Sequence, residues 1–321
     1  MEPYPVRFRP VFKRTIWGGR RLNEQLGKSI GPESDYAESW EVVDHGDDQS
    51  VVDGGPLDGL TLNQLIVEHD NWLLGSGAQS KTFPLLLKYL DCNRVLSVQV
   101  HPDDAYGATM PKPDLGKTEA WYIVAADPES KVYAGLQPGV DRKTLQEAIA
   151  AGQAEQVLHA FHPQPGDVIY IPAGTVHALG AGLLVAEIQQ SSDTTFRLFD
   201  WNRVDADGNA RPLHLEQGLE VSDYETGPVE PRRVDPMVTG WQNVVASDKF
   251  LLRLLATGST SLAGDGEFHI VTVPKGNATL VTGEETILLN AGETLLLPAA
   301  MGACEITVAE SGVVMGMSLP Q

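Results

Sequence analysis

The sequence predicts a mainly β protein, in which a barrel or sandwich with a few helices is followed by a second, smaller β-rich unit. Its 321 residues are enough for about two domains. The 32 glycines and 21 prolines are spread along the chain, as is typical of short strands joined by tight turns. Short apolar runs recur between these turns, and none approaches the ~18 residues of a membrane-spanning helix.

The predicted strands follow these apolar runs in chain order. In the first unit they are Val95–Val100, Ala120–Ala125, Lys131–Leu136, Val168–Ile171, Leu183–Gln189 and Thr195–Phe199. In the second unit they are Phe250–Ala256, Phe268–Val273, Thr279–Val281, Thr286–Leu289, Thr294–Leu297 and Gly312–Met317.

Helical patterns are fewer. One helix is expected at Thr61–Glu68, and a short helical segment opens at residues 214–216. The clearest pattern is Asp141–Ala151, where Asp141 can cap the helix, an apolar stripe follows, and Gly152 provides a stop.

A proline- and charge-rich stretch between residues 225 and 240 separates the two units. We therefore expect domains at residues 1–235 and 236–321. The two units share a local pattern, because Pro165–Gly174 and Ala291–Ala300 each pass from a Gly–acidic turn into a short apolar strand that ends at Pro-Ala. This pattern predicts two related β-barrels, of which the second lacks a histidine after its Pro-Ala and is not expected to bind metal.

The charge balance excludes some classes of partner. The chain has 43 acidic and 23 basic residues, for a formal net charge of −20, and such a surface repels nucleic acid and anionic membranes. An anionic small molecule would therefore need a local cluster of Lys or Arg. Cys92 and Cys304 are far apart and are expected to be buried and reduced. With no predicted secretory signal, these features favour a cytoplasmic protein, whose protein partners the sequence leaves open.

The segment before Pro102 has the pattern of a strand with one polar face. Side chains alternate along a strand, so Ser97, Gln99 and His101 share one side. Burying three polar side chains between apolar neighbours is costly unless they bind something. This strand is therefore a candidate wall of a binding site.

Two further segments carry chemistry. In Gly116–Trp121, Lys117 and Glu119 are two residues apart and lie on one face if the segment is extended. In Gly166–His177, a tight Pro-Ala-Gly turn leads His177 into a returning strand, a pattern that matches the second sequence motif of cupin barrels, whose histidine is a metal ligand. Gln99, His101, Glu119 and His177 thus offer two imidazoles, a carboxylate and an amide oxygen. This set suits Zn²⁺ and would also accept Fe²⁺ or Mn²⁺.

The same motifs, taken in order, resemble type I mannose-6-phosphate isomerase (phosphomannose isomerase) in its short bacterial form. The resemblance is carried by Ser97–Pro102, Gly116–Glu119, Pro172–His177 and Gln189–Arg197, and it extends N-terminally to Ile16–Gly19, Glu38–Glu41 and Phe83–Lys88. It implies a jelly-roll (cupin) barrel with a few helices, followed by a degenerate cupin-like barrel. It also implies an aldose–ketose isomerase that interconverts mannose 6-phosphate and fructose 6-phosphate.

The resemblance also implies roles for individual residues. Gln99, His101, Glu119 and His177 would bind one Zn²⁺ per chain. Arg197 and Lys117 would be catalytic, while Ser97, Lys88 and Glu187 would lie at the sugar phosphate, with Glu187 as a rival to Lys117 for the general base. Longer members carry a helical insertion for which this chain is too short. They also have a histidine directly before the lysine, where this chain has Gly116.

Two other function classes remain open at this stage. A cupin oxygenase would need redox-active iron and usually more histidine ligands. A non-catalytic sugar-binding cupin would bind its ligand without turnover. The lysine and arginine beside a complete ligand set favour the isomerase.

Overall fold

A computed structural model describes residues 2–75, 81–204, 208–283 and 285–320 and shows a mainly β protein with short helices. The strands of the first half are β1 Phe8–Arg9, β2 Val11–Gly19, β3 Tyr36–Val42, β4 Asp44–His45, β5 Asp48–Gln49, β6 Val51–Val52, β7 Leu85–Cys92, β8 Val98–Val100, β9 Glu119–Ala126, β10 Val132–Leu136, β11 Leu158–Phe161, β12 Val168–Ile171, β13 His177–Leu179, β14 Leu183–Gln190 and β15 Phe196–Phe199. Those of the second half are β16 Gln242–Ala246, β17 Leu251–Leu255, β18 Ser259–Leu262, β19 His269–Lys275, β20 Asn277–Thr282, β21 Glu285–Asn290, β22 Thr294–Leu297, β23 Cys304–Val308 and β24 Val313–Ser318. The helices are α1 Arg21–Glu24, α2 Leu62–Leu74, α3 Asp104–Gly107, α4 Arg142–Ala150 and α5 Leu215–Val221, with a 3₁₀ turn at Ala154–Val157.

Two antiparallel sheets form the first barrel. One has the strand order β12-β9-β14-β7-β3-β2 and the other β11-β10-β13-β8-β15. Apolar side chains from both sheets meet in one buried cluster, which includes Trp121, Ile123, Val132, Leu179 and Val185. The first barrel is thus a jelly-roll of the cupin type, as the sequence predicts.

The second half repeats this strand order. Its sheets run β22-β19-β24-β17-β16 and β21-β20-β23-β18, which correspond in order to β12-β9-β14-β7-β3 and β11-β10-β13-β8. The Gly–acidic turns noted in the sequence precede the corresponding strands β12 and β22, and Gly166 and Gly292 both have positive φ. The expected second, smaller cupin-like barrel is therefore confirmed.

The two barrels share a buried apolar core. Phe83 packs against Phe268 with ring centroids 4.7 Å apart, and the Tyr89 hydroxyl lies 2.7 Å from the Thr272 hydroxyl across the contact. Near the N-terminus, Val6 pairs with a strand of the second barrel. These contacts hold the second barrel against the sheet that contains β7.

The helices differ from their predicted limits. Helix α2 starts with a capping box, in which Thr61 and Gln64 bind each other's backbone, and it continues to Leu74 instead of ending at Glu68. Helix α4 is capped by Asp141 as predicted. No helix in the described ranges is long and apolar enough to cross a membrane.

The strand predicted at Val95–Val100 is shorter in the structure. Side chains, and not a neighbouring strand, bind the carbonyls at its start: Trp201 Nε1 donates to Leu96 O at 2.6 Å, and Arg203 Nη1 donates to Val95 O at 2.5 Å. The regular ladder therefore begins at Val98.

Candidate active site

Three side chains with metal-ligating atoms meet at one end of the first barrel. Glu119 is the first residue of β9, His177 is the first residue of β13, and His101 follows β8 directly. One ligating atom from each lies within 4.8 Å of the others, all three residues are buried, and the ring centroids of His101 and His177 are 4.9 Å apart. The sheet pairing thus brings together residues that are up to 76 positions apart in sequence.

The hydrogen bonds of both imidazoles orient them for metal binding. His101 Nδ1 lies 2.8 Å from Thr194 O, and His177 Nδ1 lies 2.8 Å from Thr175 O. A carbonyl oxygen only accepts, so each Nδ1 carries the proton and each Nε2 keeps its lone pair. The Nε2 atoms face Glu119, at 3.5 Å for His101 and 3.4 Å for His177. A backbone partner on the second ring nitrogen is the usual arrangement of a metal-ligating histidine.

The protonation states also fit a metal ion. Burial and then the Lys117 charge lower the pKa of His101 well below its usual value. Burial lowers the pKa of His177 to about 4, so both rings are neutral at pH 7. Glu119 Oε1 is buried without a hydrogen-bond partner among the described residues. A divalent cation would satisfy this orphaned oxygen and both Nε2 atoms together.

Gln99 is placed to complete the set. It lies opposite His177 in the pairing of β8 with β13, and its Nε2 is 3.2 Å from His177 Nε2. Rotation of the amide by half a turn exchanges its nitrogen and oxygen, so the same position offers an oxygen ligand. The four residues fit a divalent metal such as Zn²⁺, Fe²⁺ or Mn²⁺.

Lys117 lies against this cluster. Its Nζ contacts Glu119 Oε2, lies 3.1 Å from His101 Nε2 and lies 3.4 Å from Glu187 Oε1. Its side chain is only 4% exposed. A buried amino group in this position can hold or pass a proton within the site.

Lys88 and Glu187 form a second buried pair beside Lys117. They are cross-strand partners on β7 and β14, and Lys88 Nζ lies 3.3 Å from Glu187 Oε1 and 3.3 Å from Glu38 Oε2. Burial alone would raise the pKa of Glu187, but Lys117 and Lys88 outweigh it and lower the pKa to about 2. Glu187 is therefore ionised at neutral pH. Burial opposes the charge of Lys88, but Glu187 and Glu38 outweigh it and raise its pKa above the usual range.

A cavity of about 380 Å³ opens onto these groups. Its lining includes most of the residues that the sequence analysis selected: Ser97, Gln99, Lys88, Lys117, Glu119, His177, Glu187 and Arg197. Arg197 lies opposite Gln99 in the pairing of β15 with β8, and its Nη1 donates to Pro212 O at 2.9 Å. Its flanking residues, Phe196 and Leu198, pack into the apolar core, so Arg197 points to the opposite face as expected.

Comparison with known proteins agrees with this geometry. Residues 6–149 match the family described as phosphomannose isomerase type I, catalytic domain. Mannose-6-phosphate isomerase ManA of Bacillus subtilis is 36% identical over 307 residues, which cover 94% of this chain and 95% of that protein. Mannose-6-phosphate isomerase of Streptococcus mutans is 35% identical over 300 residues, with 92% of each chain covered. The chain belongs to the type I phosphomannose isomerase family. The resemblance seen in the sequence is confirmed, and with it the chain's status as an enzyme.

The solved structures agree. The crystal structure of the mannose 6-phosphate isomerase from Bacillus subtilis superposes with a TM-score of 0.85 and 32% identity, and the match covers 98% of this chain and 99% of that one. A mannosephosphate isomerase structure from Archaeoglobus fulgidus, described in its name as putative, matches with a TM-score of 0.78 at 23% identity, which supports the fold alone.

Other residues of the cavity lining were not selected from the sequence, among them Trp17, Glu38, Asp193 and Arg211. Trp17 and Glu38 lie in segments that carried the family resemblance but gave no strand pattern. Asp193 lies in the polar loop before β15 and Arg211 in the irregular segment before α5. Their positions at the cavity depend on tertiary packing, which no local sequence pattern indicates.

The second barrel does not repeat the Lys–Glu–Glu set of the first. The positions that match Lys88, Glu187 and Glu119 in strand register hold Arg253, Gly316 and His269. The Trp241 ring covers Gly316, where a Cβ would lie 2.9 Å from the ring. An aromatic ring therefore fills the space that Glu187 occupies in the first barrel.

Proposed function

We propose that this chain interconverts mannose 6-phosphate and fructose 6-phosphate by proton transfer between C1 and C2, with one Zn²⁺ held by Gln99, His101, Glu119 and His177. The observation that carries the proposal is the meeting of His101, Glu119 and His177 beside Lys117, at a cavity that Lys117, Glu119 and His177 line. The names of the Bacillus subtilis and Streptococcus mutans relatives supply the substrate.

The reaction requires an acidic carbon next to a carbonyl. A divalent ion at this site would act as a Lewis acid toward a substrate oxygen. Arg197 keeps its charge and is suited to stabilising negative charge that develops on substrate oxygens, but it is unsuited to act as a base. Burial, followed by the nearby positive charge of Arg211, lowers its pKa without bringing deprotonation into reach.

We assign proton transfer to Lys117 Nζ and an electrostatic role to Glu187. Glu187 has a low pKa and is held by two lysines, so it is a weak base. Trp121 Nε1 also donates to its second oxygen at 2.9 Å, which fixes the carboxylate in place. Lys117 lies between this carboxylate and the ligand cluster, where its neutral amine can take the proton from one carbon and the resulting ammonium can deliver it to the other carbon.

We also propose that residues 1–235 form the catalytic domain and residues 236–321 the cupin-like domain, and that the enzyme works in the cytoplasm on a small sugar phosphate. Nucleic acid and membrane are not expected as partners, because the chain has a formal net charge of −20.

The test is a coupled assay of zinc-loaded protein on mannose 6-phosphate, with the reaction also run in D₂O. We expect turnover, and exchange of solvent deuterium into C1 or C2. The His177→Ala variant should be inactive, whereas His159→Ala, which removes a histidine on β11 that pairs with the surface residue Glu230, should match the parent enzyme.

Three results would contradict the proposal. These are no isomerisation by the zinc-loaded enzyme, oxygen consumption with iron but no isomerisation, and tight sugar-phosphate binding without turnover. The second would favour an oxygenase and the third a binding protein.

A further inference from the structure

Three arginine side chains lie close together at the cavity mouth, although the chain as a whole is strongly acidic. Arg197 and Arg211 both line the cavity, and Arg203 lies beside them. Both Arg203 and Arg211 pair with one carboxylate, that of Asp200, while Arg197 forms no ion pair among the described residues. Two guanidinium groups thus share one carboxylate and a third lies near them, in a chain whose formal net charge is −20.

Arg211 is held rigidly in this cluster. Its Nε lies 2.7 Å from Asp200 Oδ2 and its Nη2 lies 2.5 Å from Asp200 Oδ1, which makes a bidentate pair. This pair fixes the plane of the guanidinium and, among the partners that the described residues provide, leaves Nη1 for a ligand. The side chain of Arg211 is 32% exposed, so a ligand in the cavity can reach it.

Arg197 is tied to the same backbone segment. Its Nη1 donates to the carbonyl of Pro212, the residue after Arg211, and its Nε is buried with no hydrogen-bond partner in the described part of the chain. Two like charges and an orphaned N–H are unfavourable without a compensating anion. Both features would be relieved by one anionic group at the mouth.

Lys88 is a poorer partner for such an anion. Its Nζ is already shared by Glu187 and Glu38, so its charge is compensated twice, and its side chain is only 8% exposed. The family resemblance implies that Lys88 lies at the sugar phosphate; its pairs with Glu38 and Glu187 leave it less positive charge for that group than the arginines have.

We infer that Arg211, together with Arg197, binds the phosphate group of the substrate at the cavity mouth. The sugar then extends inward so that C1 and C2 reach Lys117 and the ligand cluster. This inference rests on the proposed function and identifies the residues that recognise its phosphate. Bidentate, planar donors such as arginine suit phosphate oxygens better than a single ammonium group.

The test compares Arg211→Gln and Arg211→Lys with the parent enzyme on mannose 6-phosphate, with inorganic phosphate as a competitive inhibitor. Loss of a charged hydrogen bond should raise KM about 10- to 100-fold in Arg211→Gln, with kcat within about threefold. The inhibition constant of inorganic phosphate should rise with KM, and Arg211→Lys should fall between the two. Thermal unfolding of each variant shows whether it is folded.

Two matched arginines serve as controls. Arg203→Gln also breaks a pair with Asp200, but Arg203 does not line the cavity; Arg142→Gln removes one surface charge that pairs with Glu216. Both should keep KM within about threefold of the parent, since neither side chain is placed to touch the ligand.

The outcomes separate the inference from the proposed function. An active parent enzyme whose KM is unchanged in Arg211→Gln overturns the inference and leaves the isomerase intact. An equal rise of KM in Arg203→Gln also overturns it, because the effect would then come from Asp200. If Arg211→Gln does not fold, an unchanged KM in Arg211→Lys overturns it. A parent enzyme that does not turn over mannose 6-phosphate contradicts the proposed function instead.

Discussion

Removal of Lys88 tests the electrostatic interaction between Lys88 and Glu187 in the buried part of the site. The pKa of Glu187 falls from 4.5 to about 2, which corresponds to about 3 kcal/mol of stability at 1.36 kcal/mol per unit. Because the folded pKa is the lower one, this stability is present above pH 4.5 and is lost as the pH falls through 2. Lys117 and Lys88 share the effect, so Lys88→Met should destabilise the metal-free protein by about 2 kcal/mol at pH 7.

A double-mutant cycle isolates the pair. Urea unfolding of EDTA-treated parent, Lys88→Met, Glu187→Gln and the double variant should give a coupling free energy of about 1–2 kcal/mol. The surface pair Lys131–Glu155, with Nζ and Oε1 3.2 Å apart and both side chains more than 40% exposed, is the control and should couple by less than about 0.5 kcal/mol. Equal coupling in the two cycles would refute the view that burial makes the Lys88–Glu187 pair strong.

Three further expectations concern the ligand set and the fold. Asp114→Asn should weaken metal affinity about 10- to 100-fold in chelator competition. Asp114 Oδ2 accepts a hydrogen bond from Thr194 Oγ1 at 2.7 Å, and the Thr194 carbonyl orients His101. Unchanged metal affinity would contradict this. In the metal-free protein, the pKa of His177 near 4 should lower the free energy of unfolding by about 2 kcal/mol as the pH falls from 7 to 4.5. His177→Gln should remove that loss, and parallel profiles of stability against pH for the parent and the variant would contradict this. Thr61→Ala should cost about 1 kcal/mol in urea unfolding by removing the cap of α2, and an unchanged midpoint would show that the cap contributes nothing.

The strands that the sequence predicted are those with a clear apolar pattern bounded by turns. The strands of the first barrel's two sheets that were not predicted are β2, β3, β7 and β11. All eight residues of Leu85–Cys92 are buried, because this strand is covered on both faces, and full burial removes the alternation by which a strand is recognised. Lys88 and Asp91 also interrupt its apolar run. Its long-range pairing with β14 therefore could not be read from local sequence.

The candidate site was predicted where a local pattern was informative. His101 stood out at the end of a strand with one polar face and His177 in a motif typical of cupins, and the structure brings both together with Glu119. Arg211 gave no such signal. Its place at the cavity depends on a pair with Asp200, eleven residues away, and no sequence period links the two.

The most direct test of the account is the metal content of the purified protein after zinc loading and dialysis, measured by mass spectrometry for the parent, His177→Ala and His159→Ala. We expect about one zinc ion per chain in the parent and in His159→Ala and almost none in His177→Ala, because loss of one ligand leaves an incomplete set. A His177→Ala protein that keeps a full equivalent of zinc would contradict the assignment of the site.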